Sequence, residues 1–115
     1  MATCAWAQFD APAPKPLTGA QQFQRQCGTC HTLDASEAQR QGPTLDRVYG
    51  RKAGIVKGYV YSAGFAKADW VWDEPHLNAW LTNPQAVIPG AVMLYRQAKP
   101  AVRAAVIGYL KELKR

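Results

Sequence analysis

Hydrophobic and polar positions along this chain alternate between short amphipathic stretches and segments with no period. Thr18, followed three residues later by Gln21, has the form of a capping box, so a helix is expected to begin there and run into Cys27. A second helix is signalled near Asp73, with Asp-Glu-Pro at its start, Leu77, Trp80 and Leu81 on one face, and Asn83-Pro84 as its stop. The clearest helix is the last. It starts at about Pro100 as a first-turn proline and carries Val102, Ala105, Val106, Tyr109, Leu110 and Leu113 at helical spacing, with Arg103, Lys111, Glu112 and Lys114 on the other face. Between Gly42 and Gly64 glycines recur every few residues, which predicts loops and tight turns rather than a strand. There is no internal repeat, and no apolar run approaches the twenty or so residues needed to span a bilayer.

At 115 residues this is one domain with a modest core of its own. Residues 17–115 are expected to form the folded, soluble part, and residues 1–16, rich in alanine and proline, a flexible arm. Ala5-Trp6-Ala7 has the small-x-small form of a signal-peptidase site without the charged and apolar regions that should precede it. Cys4 before it reads as a free or vestigial thiol. Eight prolines and nine glycines argue for short helices joined by irregular segments, as when backbone wraps closely around a flat ligand. Fourteen Lys and Arg against eight Asp and Glu give a formal charge of +6. The basic residues are scattered, clustering only at Arg51-Lys52 and Lys114-Arg115, so they form no nucleic-acid stripe and read instead as a solvated surface with one docking region for acidic partners.

Candidate chemistry is concentrated in Cys27-Gly28-Thr29-Cys30-His31. C-x-x-C-H is the pattern of covalent c-type haem attachment: two thiols one helical turn apart add across the porphyrin vinyl groups, and the adjacent imidazole reaches the iron. C-x-x-C also occurs in thioredoxin-like redox sites and in zinc sites. The first would need a buried strand before the motif, and Thr18 to Gln26 shows no alternation. The second would need a second closely spaced pair of ligands, and beyond the motif only Cys4 and His76 remain.

An electron carrier needs a second axial ligand, and a gas-binding protein needs an open position. Apart from the initiator, the only methionine is Met93, in the turn-forming segment Ile88-Pro89-Gly90-Ala91-Val92-Met93. A lone methionine is often a core gap-filler. The competing ligand is His76, whose place in the first turn of a polar-flanked helix reads more simply as a surface imidazole.

From about Leu17 to its C-terminus the chain resembles a class I cytochrome c of the mitochondrial and bacterial long-loop kind. Besides the attachment motif, the resemblance rests on Gly42-Pro43, Tyr49-Gly50-Arg51-Lys52-Ala53-Gly54, Gly58-Tyr59-Val60-Tyr61, Trp72, Leu81-x-Asn83-Pro84, Ile88-Pro89-Gly90-x-x-Met93 and Gly108-Tyr109-Leu110, in the family order. It implies an all-α, small cytochrome c fold of three to five short helices and loops wrapped around one covalently attached haem c, with His31 and Met93 as iron ligands. By the same resemblance Pro43 offers its carbonyl to the His31 ring N–H. Arg51, Tyr59, Tyr61 and Trp72 fall where the family hydrogen-bonds the buried propionate, although for the three aromatics plain core packing is the simpler alternative. Gly19 and Phe23 would meet Tyr109 where the first and last helices cross.

The resemblance also implies outer-sphere transfer of single electrons at a positive potential, through transient contact with a donor dehydrogenase or membrane complex and an acceptor oxidase or reductase. The protein would be no enzyme and would act as a monomer. Two other readings stay open at this point: an excised haem domain of a larger redox enzyme, with residues 11–16 as its linker, and a haem sensor or enzyme with open iron, for which Met93 is the feature to test. Covalent attachment needs the exported side of a bacterial membrane or the mitochondrial intermembrane space, and Ala5-Trp6-Ala7, read as the remnant of an export signal, favours the bacterial periplasm. The chain departs from family habit in four ways. No lysine lies between Lys67 and Lys99; Gln85, Ala86 and Val92 replace common lysines of the methionine loop; Trp80 replaces a tyrosine; and Ala91 lacks a hydroxyl. These changes predict a more apolar encounter surface, and Met93 ligation that persists further into alkali.

Overall fold

Thr18 begins the first helix in the manner its spacing predicts. Its hydroxyl accepts the Gln21 N–H at 3.1 Å, and the Gln21 carboxamide accepts the Thr18 N–H at 2.9 Å, so two otherwise orphaned donors are satisfied reciprocally. The computed structural model describes residues 15–113. The arm up to residue 14, with Cys4 and Ala5-Trp6-Ala7, and the Lys114-Arg115 pair lie outside them. In chain order the elements are α1 (Gly19–Gln26), a 3-10 turn (Ala63–Lys67), α2 (Glu74–Thr82), α3 (Pro84–Val87) and α4 (Pro100–Glu112).

Asn83-Pro84 ends α2, and it also begins α3, which the sequence pattern did not foretell. Proline cannot continue the α2 hydrogen-bond ladder but is well placed in a first turn, and the Asn83 side chain accepts the Gln85 N–H at 3.2 Å as the new cap. Pro84 itself is fully buried.

Helices α1 and α4 cross in close contact because Gly19 has no side chain. A Cβ built there would lie 2.9 Å from both the Ala105 carbonyl oxygen and the Tyr109 Cβ. Phe23, one turn on, is buried against the Tyr109 ring with centroids 5.8 Å apart. Helix α4 also packs on α2, so its apolar face is wider than the stripe read from spacing, and Ile107 is buried beside Val106 and Leu110. Together with Leu77, Trp80 and Leu81 of α2 these residues form one core.

The segment from Gly42 to Gly64 contains no strand, as its glycines imply. Gly50, Gly54 and Gly58 take φ of 85°, 77° and 79°, a region closed to most side chains, and so the chain can reverse repeatedly. One isolated bridge, Lys52 with Val71, holds this segment to the stretch before α2. Around it the Gly50 N–H donates to the Trp72 carbonyl at 2.8 Å, and the Trp72 N–H to the Arg51 carbonyl at 2.8 Å. The bridge sets Arg51 beside Trp72.

Candidate functional site

The C-x-x-C-H segment is a tight turn that unwinds from the end of α1. Cys27 closes the helix by donating its N–H to the Phe23 carbonyl at 2.7 Å, and the Cys30 and His31 N–H groups both return to the Cys27 carbonyl, at 3.1 and 3.0 Å. The following loop folds back over the turn. The Gly42 N–H reaches the Cys30 carbonyl at 2.8 Å, and Arg40 donates to the Gly28 carbonyl while pairing with Glu37 at 3.7 Å. Both thiols are half-buried and free of disulfide linkage. Burial, and then the neighbouring Cys30, push the Cys27 thiol up to about 11.

His31 is held in one orientation and one charge state. Its Nδ1 lies 2.8 Å from the Pro43 carbonyl oxygen, which places the ring proton there and leaves the lone pair on Nε2. Burial holds the imidazole below its ordinary range, opposed by the Pro43 bond and reinforced by Arg51, so the ring is neutral at neutral pH. Gly42 makes room for it: a Cβ at that residue would collide with the His31 ring at Cε1.

Met93 is presented by the turn after α3. Gly90 takes φ of 85°, the Ala91 N–H closes on the Ile88 carbonyl at 3.0 Å, and Gln85 spans the turn by donating to the Ala91 carbonyl at 2.5 Å and accepting the Gly90 N–H at 3.0 Å. The Trp80 indole N–H donates to the Met93 sulphur at 3.2 Å.

Cys27, Cys30, His31 and Met93 line one cavity of about 370 Å³, walled further by Tyr59, Tyr61, Phe65 and Trp80. A smaller space of about 70 Å³ shares Cys27, His31, Trp80 and Met93 and continues to Arg51, Trp72, Val106 and Leu110. Each residue that the resemblance assigns to the haem, its iron or its propionate lines one of these lobes, with Pro43 in the larger. His76 lines neither. It lies on the outside of α2, bonded to Asp73 and stacked on Trp70.

The polar residues of the smaller lobe and its surroundings are only partly satisfied. Arg51 donates from Nη1 to the Asp46 carbonyl and from Nη2 to the Thr44 carbonyl, both at 2.9 Å, while its Nε is buried without a partner among the described residues. A half-buried guanidinium with an idle donor calls for an anion. The Tyr59 hydroxyl donates to the Gln41 carbonyl at 3.2 Å, and the Tyr61 hydroxyl accepts the Val56 N–H at 3.1 Å. Two thiols at attachment spacing, a neutral imidazole with its lone pair on Nε2, a thioether, an apolar slot and an unsatisfied cation are together the donor set that a covalently held haem requires, and the residues fit it.

Two supporting groups were not visible in the sequence. Gln85 is the brace of the methionine turn, and Gln26 on α1 accepts the Tyr95 hydroxyl at 2.8 Å, tying the chain beyond Met93 to the attachment helix. Neither has a local signal, because each contact depends on where the turn lands.

A sequence model of the family described as cytochrome c matches residues 17–114. The chain is 38% identical over 108 residues to a cytochrome c of Nigella damascena, covering 92% of this chain and 97% of that one. It is 47% identical over 88 residues to cytochrome c2 iso-2 of Magnetospirillum fulvum, covering 76% of this chain and 91% of that one. A cytochrome c of Ulva intestinalis is 36% identical over 104 residues, 90% of this chain and 94% of its own.

Proposed function

The chain belongs to the cytochrome c family, and from that premise we propose that His31 and Met93 would ligate the iron of its haem while Cys27 and Cys30 would carry the thioether links. The protein is an electron carrier with one covalently attached haem c. When bound, the haem supplies a one-electron Fe(II)/Fe(III) couple. The observation that carries the ligand assignment is that the His31 ring, with its lone pair on Nε2, and the Met93 sulphur line the same cavity.

Each residue then has a physical task. The Pro43 carbonyl fixes the His31 tautomer and raises its basicity. The Met93 thioether, soft and neutral, favours the ferrous state and keeps the iron closed to exogenous ligands. Arg51, Tyr59, Tyr61 and Trp72 receive a buried propionate, for which the unpartnered Arg51 Nε is the strongest support.

Electrons pass at the rim of the larger lobe, where Val92 and Leu94 are 68% and 78% exposed beside the buried part of the site. Partners are other redox proteins held transiently against this apolar rim, with no nucleic acid involved. No helix among the described residues is long and apolar enough to cross a membrane. Residues 17–115 act as the haem domain behind the 1–16 arm, and the protein works as a monomer in the bacterial periplasm. Visible spectra of the ferric and ferrous protein test the central assignment. Covalent c-type haem with the weak far-red band of methionine sulphur on ferric iron is expected, and ready binding of carbon monoxide would overturn it.

A further inference from the structure

The chain around Met93 is held firmly at its two ends and sparsely between them. Residues 92–97 form no helix, and exposure alternates along them with the period of extended backbone: Val92, Leu94 and Arg96 face solvent, while Met93, Tyr95 and Gln97 are half-buried. At one end the Ala91 N–H closes on the Ile88 carbonyl at 3.0 Å. At the other the Gln97 N–H donates to the Leu81 carbonyl of α2 at 2.8 Å, and the Gln97 carbonyl accepts Arg103 of α4 at 2.8 Å. Among the described residues, no N–H or carbonyl of residues 92–96 has a backbone partner. Two side-chain bonds hold this span, one from Trp80 to the Met93 sulphur and one from Tyr95 to Gln26.

The Tyr95 bond belongs to a three-membered network. The Tyr95 hydroxyl donates to the Gln26 Oε1 at 2.8 Å and accepts the Gln97 Nε2 at 3.1 Å, and the same Gln97 nitrogen donates to the Gln26 Oε1 at 3.3 Å. Gln26 immediately precedes Cys27, and Gln26, Cys27, Met93 and Tyr95 all line the larger lobe. The network therefore joins the attachment turn directly to the span that presents the thioether. Two positions along an extended chain are about 7 Å apart, so a fixed Tyr95 limits how far Met93 can lift. The Trp80 bond cannot impose this limit, because it ends on the sulphur and breaks once the sulphur moves.

We propose that Gln26 and Tyr95 are positioning residues for Met93, and that their bond sets the rate at which the 92–96 span lifts and the sulphur leaves its place. The proposal rests on reading Met93 as an iron ligand, with the closed site as the resting state. An added base can then take the sulphur's place only during a rare opening. In that exchange one lone-pair donor replaces another, no electron is transferred and no bond within the protein breaks.

The test mixes ferric holoprotein with saturating imidazole and follows loss of the far-red band, so that the observed rate is that of the span lifting. Net loss of one neutral hydrogen bond, worth about 0.5–1.5 kcal/mol, is expected to speed the exchange roughly 2- to 10-fold in Tyr95→Phe and in Gln26→Leu. The double variant should be no faster than the quicker single one, since both remove the same bond. Both contacts of Gln26 end on one accepting oxygen, so Gln26→Glu is expected to retain slow exchange. Ile107→Ala, in the core away from both lobes, should lower urea stability and leave the exchange rate unchanged. An unchanged rate in Tyr95→Phe, rates that multiply in the double variant, or an equal rise in Ile107→Ala would overturn the positioning role. Absence of the far-red band before imidazole is added would instead overturn the ligand assignment on which it rests.

Discussion

The Trp80 indole N–H donates to the Met93 sulphur across 3.2 Å, through a ring that is itself buried in the core. A thioether has two lone pairs, so one can take this bond while the other faces iron. Trp80→Phe keeps the aromatic bulk and removes the donor. The sulphur then becomes the better donor to ferric iron, and the reduction potential is expected to fall by roughly 20–60 mV, the equivalent of about 0.5–1.5 kcal/mol for one hydrogen bond. Voltammetry of the two proteins measures it, and identical potentials would reject a donor role for Trp80.

Gly42→Ala places a methyl group against the His31 ring, closer to Cε1 than van der Waals contact allows. Either the ring or the Gly42 backbone must move, and the Pro43 bond moves with them. Overpacking of this kind is expected to cost about 1–3 kcal/mol in urea unfolding and to distort the ferric spectrum.

Asp73 caps α2 and holds His76, and its carboxyl is kept below the usual carboxylate range, first by the His76 backbone N–H and then by the imidazole. The folded value lies under the unfolded one of about 3.9. The charged cap therefore contributes stability above that unfolded value and loses it as pH falls through the folded value. Asp73→Asn retains a side chain able to cap and removes the charge. Melting temperatures of the two proteins should differ at neutral pH and converge in acid, and a gap that stays constant with pH would contradict the assignment.

Phe23 is 3% exposed and fills the crossing of α1 with α4. Phe23→Ala leaves a cavity that the Gly19 contact cannot collapse to fill. A loss of about 3–5 kcal/mol is expected from denaturant titration.

Val92, at 68% exposure, stands at the rim where a partner would dock. Electron-transfer rates with an acidic partner are expected to vary weakly with ionic strength, and Val92→Lys should both raise the low-salt rate and steepen its fall with salt. A steep salt dependence in the unsubstituted protein would contradict an apolar rim.

The parts of this molecule that could be read from sequence are those whose signals are local. Thr18 with Gln21, Asp73 at the head of α2 and Pro100 at the head of α4 each act within one turn, so their helices begin where spacing predicts. Cys27, Cys30 and His31 are contiguous for the same reason. Met93 was legible as the one methionine beyond the initiator, set beside the Pro89-Gly90 turn, and the resemblance supplied its role. Helix α3 was hidden because Pro84 ends one helix and starts the next. Ile107 was hidden because a second neighbour, α2, widens the buried face of α4. The Tyr95 bond to Gln26 joins residues 69 positions apart, and no window along the chain contains both.

The contact of Gly19 with Tyr109 carries a further consequence, for how the molecule comes apart. It joins the first helix to the last, so nearly the whole described chain, with the attachment turn and the methionine turn inside it, is a single loop closed by one crossing. Closing so long a loop is entropically slow, and once it is closed neither helix can leave without opening the same knot of side chains. Amide hydrogens of α1 and α4 should therefore exchange together, at the rate of global unfolding, however loosely the glycine-rich turns between them breathe.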